Sequence, residues 1–348
     1  MGRSDRTGAR AGRAAPPNVT RSSEARARSA RPPTAVLDWL LDPREPAVRY
    51  LTLTGLLGRP ERDDEVREAR ARIPAVGMGA GLLRGQNAEG WWVDPGSLYV
   101  PKYLATNWRL IALSDLGLHR DLPAVRRGCE LWMERFRLRG GGVGGNSKGT
   151  GHHCVVGNMT RALLKFGYAD DPRPRKSLEW LVETADPKGG WSCFGRGRNL
   201  DSWEGLSAFA AYPRARWTAG MTRAVELGAE FFLERELHCQ GTRYAPWYRF
   251  HAPVHYYYDV LVGLDLLTSL GYADDRRLRF AVDLLLRKRR QDGCWLLDAV
   301  HPDVEGSLGR WYDQHPARRP TPLALETPGR PSKLVTLVAW KVLARMGA

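Results

Sequence analysis

A chain of 348 residues, 43% of them hydrophobic, is long enough to bury one large core or two small ones. No apolar run approaches the roughly 20 residues of a membrane span, and no signal-peptide stretch follows the basic start, so the sequence reads as cytoplasmic and without a transmembrane segment. The formal charge is +15, but beyond the first residues bases and acids are interspersed, which is not the footprint of a specific nucleic-acid binder.

Residues 1–34 hold Arg3, Arg6, Arg10, Arg13, Arg21, Arg26, Arg28 and Arg31 against Asp5 and Glu24, with almost no large apolar side chain. Such a segment cannot bury enough surface to offset its ordering entropy, and is expected to be a disordered basic tail. Residues 35–348 then form a single domain. Deleting residues 1–33 should leave the melting temperature unchanged; a drop of several degrees in a thermal unfolding scan would show that the tail packs on the domain.

Helical segments are expected at 35–41, 46–57 and 62–85, ahead of a first turn, Glu89-Gly-Trp-Trp92. An apolar helix follows at about 102–116. It closes on Asp115-Leu-Gly-Leu-His-Arg-Asp121, a pattern repeated as Lys165-Phe-Gly-Tyr-Ala-Asp-Asp171 and Ser269-Leu-Gly-Tyr-Ala-Asp-Asp275. In each copy the glycine suits a helix C-terminus and the final Asp can cap the next helix. Amphipathic helices are expected at 121–136, 172–184 and 275–289. Behind them lie Gly141-Gly-Val-Gly-Gly145, Lys188-Gly-Gly-Trp191 and Gln291-Asp-Gly-Cys-Trp295, and then more apolar helices at about 154–166, 202–212, 255–270 and 332–346. The period is near fifty residues per pair. An amphipathic helix shows one face to water, whereas one that is apolar all round must be internal. About six such hairpins closing on themselves make an all-α, α/α-toroid domain. Segment 299–331, rich in Pro, His and Arg, has no helical pattern and reads as a loop able to cover a mouth. Lys333 or Arg330 at the start of the last helix can meet an anionic group.

The turns Gln86…Gly90-Trp91 and Gln291-Asp-Gly-Cys-Trp295 resemble the repeats of squalene and terpene cyclases and of protein prenyltransferase β-subunits. The resemblance spans roughly residues 36–346 and is nearest to small bacterial single-toroid repeat proteins. It implies a barrel of two concentric helix rings with the site at its mouth and central cavity, and a small apolar or isoprenoid-like substrate. The Asp-x-Asp-Asp acid motif of class II terpene cyclases is missing. Ala-Asp-Asp at 169–171 and 273–275, and Glu61-Arg-Asp-Asp64, fall at helix junctions where capping explains them. There is length for one toroid only, which argues against ordinary squalene cyclisation, and the Asp-x-Cys pair of prenyltransferases is absent.

Five cysteines, odd in number and widely spaced, point to thiols or metal ligands and not to a disulfide frame. Three successive inner helices begin near Gly151-His-His-Cys154, Leu200-Asp-Ser-Trp-Glu204 and Pro253-Val-His-Tyr-Tyr-Tyr-Asp259. Cys154, Cys193 and His255 thereby become a candidate Zn2+ site at the barrel rim, with Asp259, Glu204 or Asp201 as acid/base groups. Packing of small buried thiols, and capping by Asp201, are the plain alternatives. Tyr103, Trp108, His153, Trp203, Trp247, Tyr256, Tyr257 and Tyr258 are candidate lining for a cavity suited to isoprenoid chains or carbocations. The functions left open are an isoprenoid cyclase or prenyl-transfer enzyme, a zinc-thiolate cyclase acting on thiols, a carboxylate-based sugar enzyme using Glu204 and Asp259, and a binding ring without catalysis.

Overall fold

A computed structural model describes residues 31–193, 199–239, 244–255, 257–301, 313–316 and 323–347. Most of the tail, Tyr256 and the middle of the 299–331 loop lie outside these, as does the side chain of Asp201.

The chain is all-α. The helices are α1 (Thr34–Leu40), α2 (Pro46–Gly55), α3 (Asp64–Arg72), α4 (Gly77–Leu83), α5 (Thr106–Asp115), α6 (Pro123–Arg135), α7 (His153–Lys165), α8 (Pro172–Glu183), α9 (Glu204–Ala210), α10 (Ala219–Leu233), α11 (Val260–Ser269), α12 (Arg279–Lys288) and α13 (Lys333–Gly347). Among the described residues β-structure is limited to isolated bridges. Among the described residues no helix is long and apolar enough to cross a membrane.

The helices sort into two rings. The inner one runs α2, α5, α7, α9, α11, α13, with α4 wedged between α2 and α5, and it closes because α13 packs on both α11 and α2. Outside it, α3 packs on α2, α6 on α5, α8 on α7, α10 on α9 and α12 on α11. Burial follows the patterning. In α11 all residues but Asp265 and Ser269 are buried, whereas α6 buries only Val125, Gly128, Cys129, Trp132 and Met133, a single stripe at three- and four-residue spacing.

Local chemistry sets the boundaries. The Asp63, Asp171 and Asp275 side chains accept first-turn amides of the segments that follow them, so the acidic junctions are caps. Gly117, Gly167 and Gly271 end α5, α7 and α11 with φ of 82°, 93° and 98°, where a side chain would be strained. The third residue of each Gly-x-Trp turn has a repeated task. Trp191 Nε1 donates to Leu181 O and Trp295 Nε1 to Leu285 O, carbonyls in the last turns of α8 and α12. The Trp92 and Trp295 amides donate to Thr106 and Thr336, threonines at the start of the next inner helix. Trp295 therefore links an outer helix to an inner one through both groups, and in the first copy it is the buried Trp92, not the half-exposed Trp91, whose amide reaches the inner helix.

One expected helix starts late. His255 and residues 257–259 are not helical, because Asp259 caps α11 by accepting from Val262 N at 2.8 Å.

Candidate functional site

A cavity of about 320 Å³ lies inside the inner ring. Leu51, Ala112, Val262, Leu266, Leu334 and Leu337 give it an apolar wall, and Trp203 is its aromatic lining residue. The residues at the loop-to-helix junctions place the candidate site at the start of the inner helices, and that end is indeed polar, but it is closed. His255 and Glu204 are fully buried and Asp259 is 1% exposed, because the non-helical segments around 99–103, 249–255 and 295–301 fold across it. The opposite end, at the C-termini of the inner helices, meets solvent: Lys165 is 40% and Asp265 35% exposed.

At the closed end His251 and Asp259 line the cavity together. Asp259 Oδ1 is taken by the α11 cap, while Oδ2 accepts from the His251 amide at 3.0 Å and pairs with His251 Nδ1 at 2.6 Å. The carboxylate thus fixes the imidazole with Nδ1 protonated and leaves Nε2, which has no hydrogen-bond partner among the described residues, as the atom able to exchange a proton. Asp259 acts through His251 and is a positioning residue.

Behind this dyad sits a stack of rings. Tyr103 lies 4.0 Å from His301 and 4.9 Å from His255, ring centre to ring centre, and its hydroxyl is 2.7 Å from that of Tyr257. Trp108 meets His255 edge-on at 5.8 Å. Burial, followed by the charges of His251 and Lys102, pushes the His301 pKa down to about 3. Burial and then the neighbouring cationic groups hold His255 well below the usual imidazole range. Both rings are neutral at pH 7.

The sequence-derived candidates therefore divide. Trp203 and Asp259 line the cavity, and Tyr103, Trp108, Tyr257 and His255 form the stack beside it. Trp247 and Tyr258 pack towards α10, with Tyr258 Oη donating to Leu237 O, and belong to the core. His153 lies against Trp180 of α8 with Nδ1 2.8 Å from Ser192 O. Cys154 and Cys193 do come together: the Cys154 amide donates to Cys193 Sγ at 3.0 Å, and the charge of nearby Glu204 acts on Cys154. His255 is committed to the ring stack, and among the described residues no group of three or more His, Cys, Asp or Glu side chains is arranged to hold a metal ion. The expected Cys154–Cys193–His255 triad is thus not assembled.

Sequence reasoning missed the open end. Asp115 pairs with Arg161 at 2.8 Å and Lys165 at 2.7 Å, and Asp265 with Arg345 at 2.7 Å. Burial alone would raise the Asp115 carboxyl, but Arg161 and Lys165 outweigh it and hold the pKa below the usual value. Lys341 is drawn towards Asp265, yet burial, Arg345 and Lys165 leave it below the usual ammonium range. The signal for this end was present. Asp115, Lys165 and Ser269 each stand two residues before a helix-ending glycine, and all three line the cavity. His251 gave no signal, because it stands eight positions before Asp259 in a stretch of sequence without periodicity.

No family model matches the chain. Over 145 residues it is 30% identical to a terpene cyclase–glycosyl transferase fusion protein from Humicola fuscoatra, a match covering 38% of this chain and 10% of the fusion protein. The chain therefore spans about a tenth of that relative's length. The chain is similar to terpene cyclases. Among solved structures it is similar to a protein from Actinoplanes, at 19% identity and a TM-score of 0.46 over 92% of this chain and 98% of that one. It is also similar to the type II terpene cyclase MstE from Scytonema in complex with geranylgeranyl dihydroxybenzoate, at 15% identity and a TM-score of 0.47 over 93% and 97%.

Proposed function

We propose that this protein is an isoprenoid-handling enzyme of the cyclase type, in which His251 Nε2 moves a proton at the closed end of the central cavity. The observation that carries the reading is an imidazole oriented by a buried carboxylate, on a residue that lines a largely apolar chamber. The stretch shared with a terpene cyclase fusion protein supports it. Once a carbocation has formed on an isoprenoid chain, its later ring closures and quenching need little more than this. Apolar walls fold the chain and exclude water, an aromatic face favours positive charge, and one group takes up the proton that the final cation releases. The Asp259 carboxylate at Nδ1 holds the ring in the orientation that leaves Nε2 for the proton. The Trp203 face already lies 5.2 Å from the Arg161 guanidinium, so that cation and the ring brace each other at mid-cavity. The charged open end suits a polar head group, which leaves the hydrocarbon to run inwards.

The test is incubation of the full chain with farnesyl and geranylgeranyl compounds carrying phosphate or aromatic-acid heads, with mass spectrometry for a product isomeric with its substrate. His251→Ala should lower turnover by about 100-fold or more, the usual range for losing a general acid or base. Asp259→Asn should lower it as well, whereas His119→Ala, on a surface turn, should change nothing. Full activity in His251→Ala would sink the assignment.

A further inference from the structure

The Cys154–Cys193 pair plays no part in the cavity chemistry. Cys154 is the second residue of α7, and its amide is one of the first-turn donors that a helix leaves unfilled. The N-cap residue, His152, makes no side-chain capping bond; Cys193 Sγ, from a turn 39 residues further on, accepts from the Cys154 amide instead. The Cys154 thiol is also hydrogen-bonded to Cys193. The Cys193 sulfur thus takes two donors and sits at the positive end of a thirteen-residue helix, all of which favours its thiolate. The same hydrogen bond, then burial and the nearby charge of Glu204, hold the Cys154 thiol protonated. Both residues are half-buried and so remain within reach of small reagents, while Cys129 and Cys294 are buried and Cys239 stands alone on the surface.

The geometry points to a redox-active dithiol in which Cys193 is the attacking thiolate and Cys154 the resolving thiol, with a small hydroperoxide as oxidant. Cys193 Sγ attacks the terminal peroxide oxygen, the O–O bond breaks, and the departing oxygen leaves as water or an alcohol after taking a proton. The product on Cys193 is a sulfenic acid. Cys154 then attacks that sulfur; the S–S bond forms, and hydroxide leaves with the Cys154 proton as a second water. Two thiols lose two electrons and two protons, and one hydroperoxide is reduced. The disulfide would tie the first turn of α7 to the turn that precedes α9, beside Glu204. This reading is independent of the cyclase proposal, since it needs neither the cavity nor His251.

The experiment uses the reduced full chain, treated with one equivalent of hydrogen peroxide, alkylated and mapped by mass spectrometry. The expected result is a loss of about 2 Da, a single peptide link joining Cys154 to Cys193, and alkylation of Cys129, Cys239 and Cys294. In Cys154→Ser the sulfenic acid should persist on Cys193 and be trapped by dimedone. In the unsubstituted protein Cys193 should react with iodoacetamide with a midpoint at least one pH unit below the ordinary thiol value of about 8.5. The proposal is overturned if the link forms through Cys239, if Cys154 alkylates before Cys193, or if peroxide leaves both thiols free.

Discussion

Replacing Gly157 with alanine should lower the free energy of unfolding by about 3 kcal/mol or more, the upper end of what overpacking usually costs. A methyl group at this position in α7 would lie 2.5 Å from Glu204 C, 2.6 Å from Glu204 O and 2.7 Å from Gly205 N. Every one of those atoms is backbone, so no side chain can swing aside, and α7 and α9 must separate. In a closed ring that separation is passed to the neighbouring inner helices. Gly140, with nothing within 4 Å of the same added atom, is the control, and Gly140→Ala should leave stability unaltered. Urea unfolding of both variants decides the matter: a Gly157→Ala protein within about 1 kcal/mol of the parent would show that the α7–α9 crossing is softer than its geometry implies.

Stability should also fall steeply in mild acid, and earlier than carboxylate protonation alone would bring about. His255 and His301 are held neutral in the folded protein, with pKa values well below the normal range, while in the unfolded chain they regain a value of about 6.5. The unfolded state therefore binds more protons below that pH. Their contribution is complete above pH 6.5 and is lost as pH falls towards the folded value, about 3 for His301. Each histidine should cost up to about 1.4 kcal/mol per pH unit across that window. Asp115 and Asp265, whose carboxyls are depressed by their Arg and Lys partners, add their losses below about pH 4. Unfolding free energies measured from pH 7 to pH 4.5 should therefore show a slope near two protons, reduced to about one in His301→Gln. A flat profile over this range would mean that the two rings ionise in place.

Much of the ring was legible because it repeats. The Leu-Gly and Phe-Gly helix ends, the capping Asp171 and Asp275, and the Gly-x-Trp turns each recur with one physical task, and recurrence separates a signal from chance. The two-sided burial of α5, α7 and α11 followed from their apolar composition. The site was legible only in pieces. Asp259, Trp203 and the meeting of Cys154 with Cys193 could be placed because each stands at a helix start whose position the repeat fixes. His251 and His301 could not, since they ride on segments without periodicity whose course is decided by what they cover. The same segments decide which end of the barrel is shut, and that is why the open end, with Arg161, Lys165 and Lys341, escaped notice.

Every joint in the inner ring but one links helices that follow one another around the ring as they do along the chain. The exception, between α13 and α2, joins the domain's last helix to one of its first. During synthesis the ring consequently waits open. Until residues 333–347 have left the ribosome, the inner faces of α2 and α11 have no partner between them and the apolar cavity is a groove. The nascent chain should be most vulnerable to aggregation, and most dependent on chaperones, in that last interval, and removal of α13 should trap it there.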